Sequence, residues 1–176
     1  MDDIAAQASR TAPYVVQQPG GGRQIPLGGA GCVTMMVEGE HSGQRVAVYE
    51  FVAPAFTAGP PVHLHRTWDE TFYVLDGEMT FLIDGTQHVA PAGSCVFVPR
   101  GVLHTFWNAT SHPTRQLTFF TPAGIEDYFD ALAVVLGSET PEAVAEAAAL
   151  MATHDMVVPG DDIVAYGALK VDPSGA

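Results

Sequence analysis

GPPVHLHRTWDETFYVLDG, residues 59–77, and GSCVFVPRGVLHTFWN, residues 93–108, decide how this chain is read. Between them they carry His63, His65, Glu70 and His104. In a strand successive side chains alternate faces, so His63 and His65 point the same way. Glu70 lies five residues after His65, an odd offset that a straight strand would send to the opposite face. The polar interruption Arg66-Thr67-Trp68-Asp69 therefore has to turn the chain before Glu70 opens the next strand. With that turn, three imidazoles and one carboxylate can converge on one point, a donor set suited to a divalent transition metal.

Outward from these stretches the pattern stays β. Cys32–Val37 and residues 45–52 are rich in Val, Met, Tyr and Phe and flank the polar turn 38–43. Residues 71–75, 79–83 and 86–90 read as a meander joined at Asp76-Gly77 and Asp84-Gly85, both strong hairpin signals. Residues 94–98 and 104–107 flank Pro99-Arg100-Gly101, which suits a type I turn with Pro second and Gly fourth. Residues 115–120 supply a last strand. About eight short strands at regular spacing predict an antiparallel sandwich or small barrel. The glycines at 20–22 and 28–31 follow no βα pattern, so they read as turns and not as a phosphate loop.

Past residue 122 the period changes. Ile125, Tyr128, Phe129, Leu132, Val135 and Leu136 recur at helical spacing, and Gly137 ends the run. A second, alanine-rich helix is expected with Thr140 as N-cap and Pro141 at its first position. These helices should cover one opening or edge of the β-structure. Residues 1–13 carry no period and read as an arm ordered by a partner subunit; a short turn is expected near residues 161–169.

The chain has 176 residues, long enough for one domain with a sizeable core. Seven Lys and Arg against twenty Asp and Glu give a net charge of −13. A surface that negative repels phosphate backbones and anionic lipid, which argues against nucleic acid and membrane as partners. Cys32 and Cys95 sit in apolar strand-like runs and read as two buried free thiols of an intracellular protein. The start, MDDIAAQASR, lacks the basic and apolar regions of a signal peptide, and no apolar run approaches a membrane span. The expected location is cytoplasmic.

The pattern resembles the cupin superfamily. Its second motif, G-x5-P-x-G-x2-H-x3-N, is met by Gly93, Pro99, Gly101, His104 and Asn108. Its first, G-x5-H-x-H-x3,4-E-x6-G, is met from His63 through His65 and Glu70 to Gly77; it departs at the first glycine, where Thr57 stands and Gly59 is two residues too close. The resemblance implies an all-β cupin jelly-roll β-barrel with C-terminal α-helices. The implied layout is an N-terminal arm and first strands over residues 1–30, the barrel over 31–122, and a helical segment packing on it over 123–176. It also implies a metal bound by His63, His65, Glu70 and His104, and a homodimer.

Iron, manganese, cobalt and nickel fit three neutral imidazoles and one carboxylate with two positions open; zinc fits too but settles more readily for four-coordination. Glu70 faces inward, so by parity Phe72 and Val74 should as well, and so should Phe106, two residues after His104. That lining favours a flat, neutral or phenolic substrate over a sugar phosphate. Within the superfamily the arrangement resembles the bacterial flavonol (quercetin) 2,3-dioxygenases. Shared features are the four-residue gap before Glu70, the ETFYVLDGEMTF strand pair, and a tail opening FFTPAGIEDYF. That resemblance implies an aromatic substrate, O2 as co-substrate, and Glu70 as both ligand and base. The same constellation also serves isomerases and decarboxylases, and a non-catalytic small-molecule-binding cupin is the competing reading.

Overall fold

Alternating apolar residues fold the chain into two antiparallel layers that face each other across one core. The computed structural model describes residues 14–138, 140 and 142–158. The strands are β1 (Arg23–Pro26), β2 (Cys32–Val37), β3 (Ala47–Ala53), β4 (Leu64–His65), β5 (Asp69–Asp76), β6 (Glu78–Ile83), β7 (Thr86–Pro91), β8 (Cys95–Val98), β9 (His104–Trp107), β10 (Thr114–Thr121) and β11 (Met156–Val157). Two helices, α1 (Ile125–Leu136) and α2 (Ala143–Thr153), lie between β10 and β11.

One layer has the order β1-β2-β3-β10-β5-β8; the other is built on β7-β6-β9. The second layer is extended through His63, whose backbone N–H donates to the His104 carbonyl at 3.0 Å while His104 N–H donates back at 2.8 Å. β4 follows His63 directly and pairs with β11 at the far edge. The architecture is an all-β jelly-roll barrel with a helical tail.

The inward residues obey the period of two. β3 turns Ala47, Tyr49, Phe51 and Ala53 inward, and β5 turns Glu70, Phe72 and Val74. Between the layers the Phe72 ring lies 5.0 Å from Phe81 and 5.4 Å from Phe106. Burying each such side chain stabilises by roughly 1.5–3 kcal/mol, so this aromatic group fixes the spacing of the layers. On α1 the residues Ile125, Tyr128, Phe129 and Leu132 are buried, which is the helical stripe expected from their spacing.

Several local expectations are corrected. Asp84-Gly85 closes a β6–β7 hairpin with positive φ at both residues, 47° and 75°. Asp76-Gly77 does not make a hairpin: Asp76 still pairs with Arg115, and the chain then crosses from one layer to the other. The turn before β9 begins at Pro99, not before it. Val102 N–H donates to the Pro99 carbonyl, and Gly101 takes the third place with φ 83°.

The second helix starts at Ala143, and Thr140 contributes only a carbonyl to it. Pro141 lies outside the described residues, as do the arm over 1–13 and the turn near 161–169. The two cysteines are free, but Cys95 is exposed and Cys32 half-buried. β8 is the edge of its sheet and turns Cys95 and Phe97 outward, so an apolar run there did not mean burial.

Gly59 packs directly on the backbone of β9. A Cβ built on it would sit 1.5 Å from the Phe106 carbonyl oxygen. The backbone before His63 therefore lies flat against β9. Gly59→Ala is expected to destabilise the fold by about 3 kcal/mol, the upper end for overpacking. At Gly29 a built Cβ meets nothing within 4 Å, and Gly29→Ala should stay within about 0.5 kcal/mol. Urea-unfolding midpoints of the two variants check this.

Candidate metal centre

The turn from β4 to β5 carries the chain between layers, which resolves the odd offset from His65 to Glu70. Trp68, in the middle of that turn, folds inward and lies edge-on to His65 and Phe120 at 5.4 and 5.5 Å. Asp69 binds the next loop: its carboxylate accepts from the backbone N–H and the guanidinium of Arg100 at 2.8–3.0 Å. Arg100 in turn holds the Asp69 carboxyl down at about 2. Gly101 N–H donates to the His65 carbonyl at 2.7 Å. The two motif stretches are thus stitched together before either histidine ring is considered. Asn108 finishes the loop beyond β9, its amide donating to the carbonyls of Ala53, Pro54 and His112.

His63, His65, Glu70 and His104 come together, all buried, with one donor atom from each within 4.8 Å of the others. Each imidazole uses Nδ1 to donate to a main-chain carbonyl: His63 to Pro61 at 2.8 Å, His104 to Val102 at 2.9 Å, and His65 to Asp155 at 3.2 Å. That leaves three Nε2 lone pairs and the Glu70 carboxylate facing one another. Glu70 Oε2 lies 2.9 Å from His104 Nε2 and 3.4 Å from His65 Nε2. His65 Nε2 is buried and has no hydrogen-bond partner among the described residues. A buried acceptor without a donor is costly, and four converging lone-pair donors are what a divalent cation satisfies. The cluster suits a divalent metal.

The titration behaviour agrees. Burial, with His104 and His65 as neighbours, pushes the His63 imidazole down to about 3. Burial opposes ionisation of Glu70, but the hydrogen bond with His104 and the nearness of the His65 ring outweigh it and hold the carboxyl at about 2. Burial likewise opposes charge on His104, yet its contact with Glu70 raises its pKa overall. The His104–Glu70 pair needs a positive charge between its two acceptors, and a proton or a metal ion can supply it.

A cavity of about 580 Å³, its open mouth included, leads to the cluster. The barrel contributes Tyr49, Phe51, Phe106 and Phe120; α1 contributes Ile125, Tyr128, Phe129 and Leu132; and β11 contributes Met156. No Lys or Arg borders it among the described residues, and Glu70 is its one carboxylate.

Residues 50–120 match the family described as Cupin domain. Over residues 50–120 the barrel is a cupin domain. A 109-residue stretch of this cupin is 28% identical to quercetin 2,3-dioxygenase of Bacillus subtilis, covering 61% of the chain and 31% of that protein. Another, of 64 residues, is 39% identical to the oxidoreductase iacF of Pestalotiopsis fici, covering 35% of the chain and 30% of that protein. The cupin thus spans about a third of the length of the curated relatives it matches. Among solved structures, an RmlC-like cupin from Shewanella frigidimarina superposes with a TM-score of 0.54 at 22% identity, over 65% of this chain and 94% of that one. None of the described helices is long and apolar enough to cross a membrane.

Of the side chains expected to line the pocket, Phe106 borders the cavity. Phe72 and Val74 face inward but lie in the fully buried core and do not reach it, because the cavity opens toward the tail. Asp155 and Met156 reach the site from ninety residues further along the chain and left no local signal in the sequence. The helical stripe of α1 was legible, but not its place against the cluster.

Two outcomes follow from this geometry. His104→Ala should weaken binding of a divalent metal by more than the roughly 10–100-fold typical of losing an outer partner, whereas His112→Ala should leave it unchanged; metal analysis of both purified variants checks this. In metal-free protein, His63 stays neutral down to about pH 3 while the unfolded chain protonates it near 6.5. Its contribution to stability is therefore complete above pH 6.5 and is lost as pH falls toward 3. His104, with its raised pKa, acts in the opposite sense. Urea titrations from pH 7.5 to 4.5 should show a shallower loss in His63→Asn than in the unchanged chain.

Proposed function

We propose that this cupin is a metal-dependent dioxygenase that cleaves a flavonol or a related phenolic enol with O2. The observation that carries the reading is the cavity: an aromatic, uncharged pocket ending on a buried His-His-Glu-His cluster. The rings of Tyr49, Phe51, Phe106 and Phe120 on the cavity wall would offer a flat phenolic burial and ring contacts. Among the described residues a sugar phosphate or a small dianion finds no Lys or Arg there, which disfavours isomerase and decarboxylase readings. The similarity to quercetin 2,3-dioxygenase of Bacillus subtilis points the same way.

His63, His65, Glu70 and His104 would hold the ion. When bound, a divalent transition metal acidifies a coordinated hydroxyl and offers a redox-capable centre. The chain's own share is positioning and proton handling. Glu70 is ionised throughout the neutral range, and it is the carboxylate at the inner end of the cavity. It is therefore the group placed to accept the proton of an enol seated there. The apolar walls keep water from the electron-rich anion that results.

Adding a flavonol to metal-loaded protein should consume O2 and release carbon monoxide. Binding of the flavonol with no O2 uptake would instead support a small-molecule-binding cupin. Glu70→Gln keeps an oxygen donor in place and removes the base, so much of the metal should remain while turnover falls by roughly 10²-fold or more. Undiminished turnover in that variant would exclude the base role.

A further inference from the structure

The three imidazoles of the cluster are oriented by three carbonyls, and one of these comes from outside the barrel. His63 and His104 each donate to a carbonyl two residues back, so each carries its own brace. His65 has none nearby. Its Nδ1 reaches the Asp155 carbonyl, ninety residues further along the chain. A competing hydrogen bond is close at hand: Glu70 Oε2 is 3.4 Å from His65 Nε2. If the ring proton moved to Nε2, it could be donated to that carboxylate, and the lone pair would be lost from the centre of the cluster. The acceptor at residue 155 is what favours the other tautomer.

Asp155 is itself held firmly. Its Oδ2 accepts from Arg66 N–H at 3.1 Å, Thr67 N–H at 2.8 Å and Thr67 Oγ1 at 2.5 Å. Its φ of 57° lies in the left-handed region, which Asp and Asn adopt more readily than most residues. The next residues form β11, with Met156 paired to His65 and Val157 to Leu64. One side chain thus fastens the β4–β5 turn while its own carbonyl fixes the ring.

We propose that Asp155 is a positioning residue of the metal centre: its carboxylate clamps the Arg66-Thr67 backbone so that its carbonyl holds His65 in the tautomer whose Nε2 faces Glu70 and His104. This rests on the reading that the cluster takes a divalent transition ion. The same turn delivers Met156 to the cavity wall, so metal retention and the tail-side wall of the pocket share one anchor.

The test is a Co²⁺ titration of the metal-stripped 176-residue chain and of two variants, followed by visible absorption. Asp155→Gly accepts the left-handed backbone but has no clamp, and should bind Co²⁺ roughly 10–100-fold more weakly. Asp155→Asn keeps a side-chain oxygen and the backbone preference, and should recover most of that loss. Imidazole nitrogen shifts by NMR in the metal-free proteins should show His65 protonated on Nδ1 in the unchanged chain and in Asp155→Asn, and mixed in Asp155→Gly. Unchanged Co²⁺ affinity, spectrum and tautomer in Asp155→Gly would overturn the proposal. Should Asp155→Gly not fold, Thr67→Val removes one of the three donors and must still weaken Co²⁺ binding severalfold; no change there also overturns it. No Co²⁺ uptake by the unchanged chain would overturn the metal reading itself, and the positioning role with it.

Discussion

A histidine can offer a lone pair to a cation only while its other ring nitrogen is committed elsewhere. Three such commitments have to be met at one point in this barrel, and much of the local structure exists to meet them. Pro61 and Val102 lie in tight segments whose carbonyls turn back on the rings that follow. Gly59 lets the first segment lie against β9, and Gly101 lets the second reverse direction. The Asp69–Arg100 pair and the bond from Gly101 to His65 then hold the two segments in register.

The electrostatics of the surface and the cavity are opposed. A chain of net charge −13 keeps, among the described residues, a single carboxylate at the inner end of its pocket and surrounds it with rings and aliphatic side chains. In so apolar a setting charge interactions are stronger than at the surface. The depressed pKa of Glu70 and the raised one of His104 are two views of that one contact. The pocket walls come from two sources: the barrel supplies one side and α1 with β11 the other. The site is therefore complete only when the tail is docked.

Much of this was legible in the sequence, for identifiable reasons. Period-two alternation marked the strands, and Asp84-Gly85 marked its hairpin, because those signals are local. Asp76-Gly77 carried the same dipeptide yet crosses between layers, since nothing local records which sheet the next strand joins. The spacing of His63, His65, Glu70 and His104 led to side chains that the structure gathers. Alternation along β5 sets the inward direction of Phe72 and Val74 but not their depth, which depends on where the barrel opens. β11 is two residues long and lies far from β4 in the chain, so its pairing left no pattern to read.

The reciprocal backbone bonds between His63 and His104 have one more consequence. The two rings are mounted on opposite ends of a single rung of the sheet, so the distance between them is set when the barrel closes and not when a guest arrives. The entropy of bringing these two donors together is spent during folding. What is left for an incoming ion is to shed its water, which makes dehydration, and not rearrangement of this scaffold, the step that should govern how fast the centre fills.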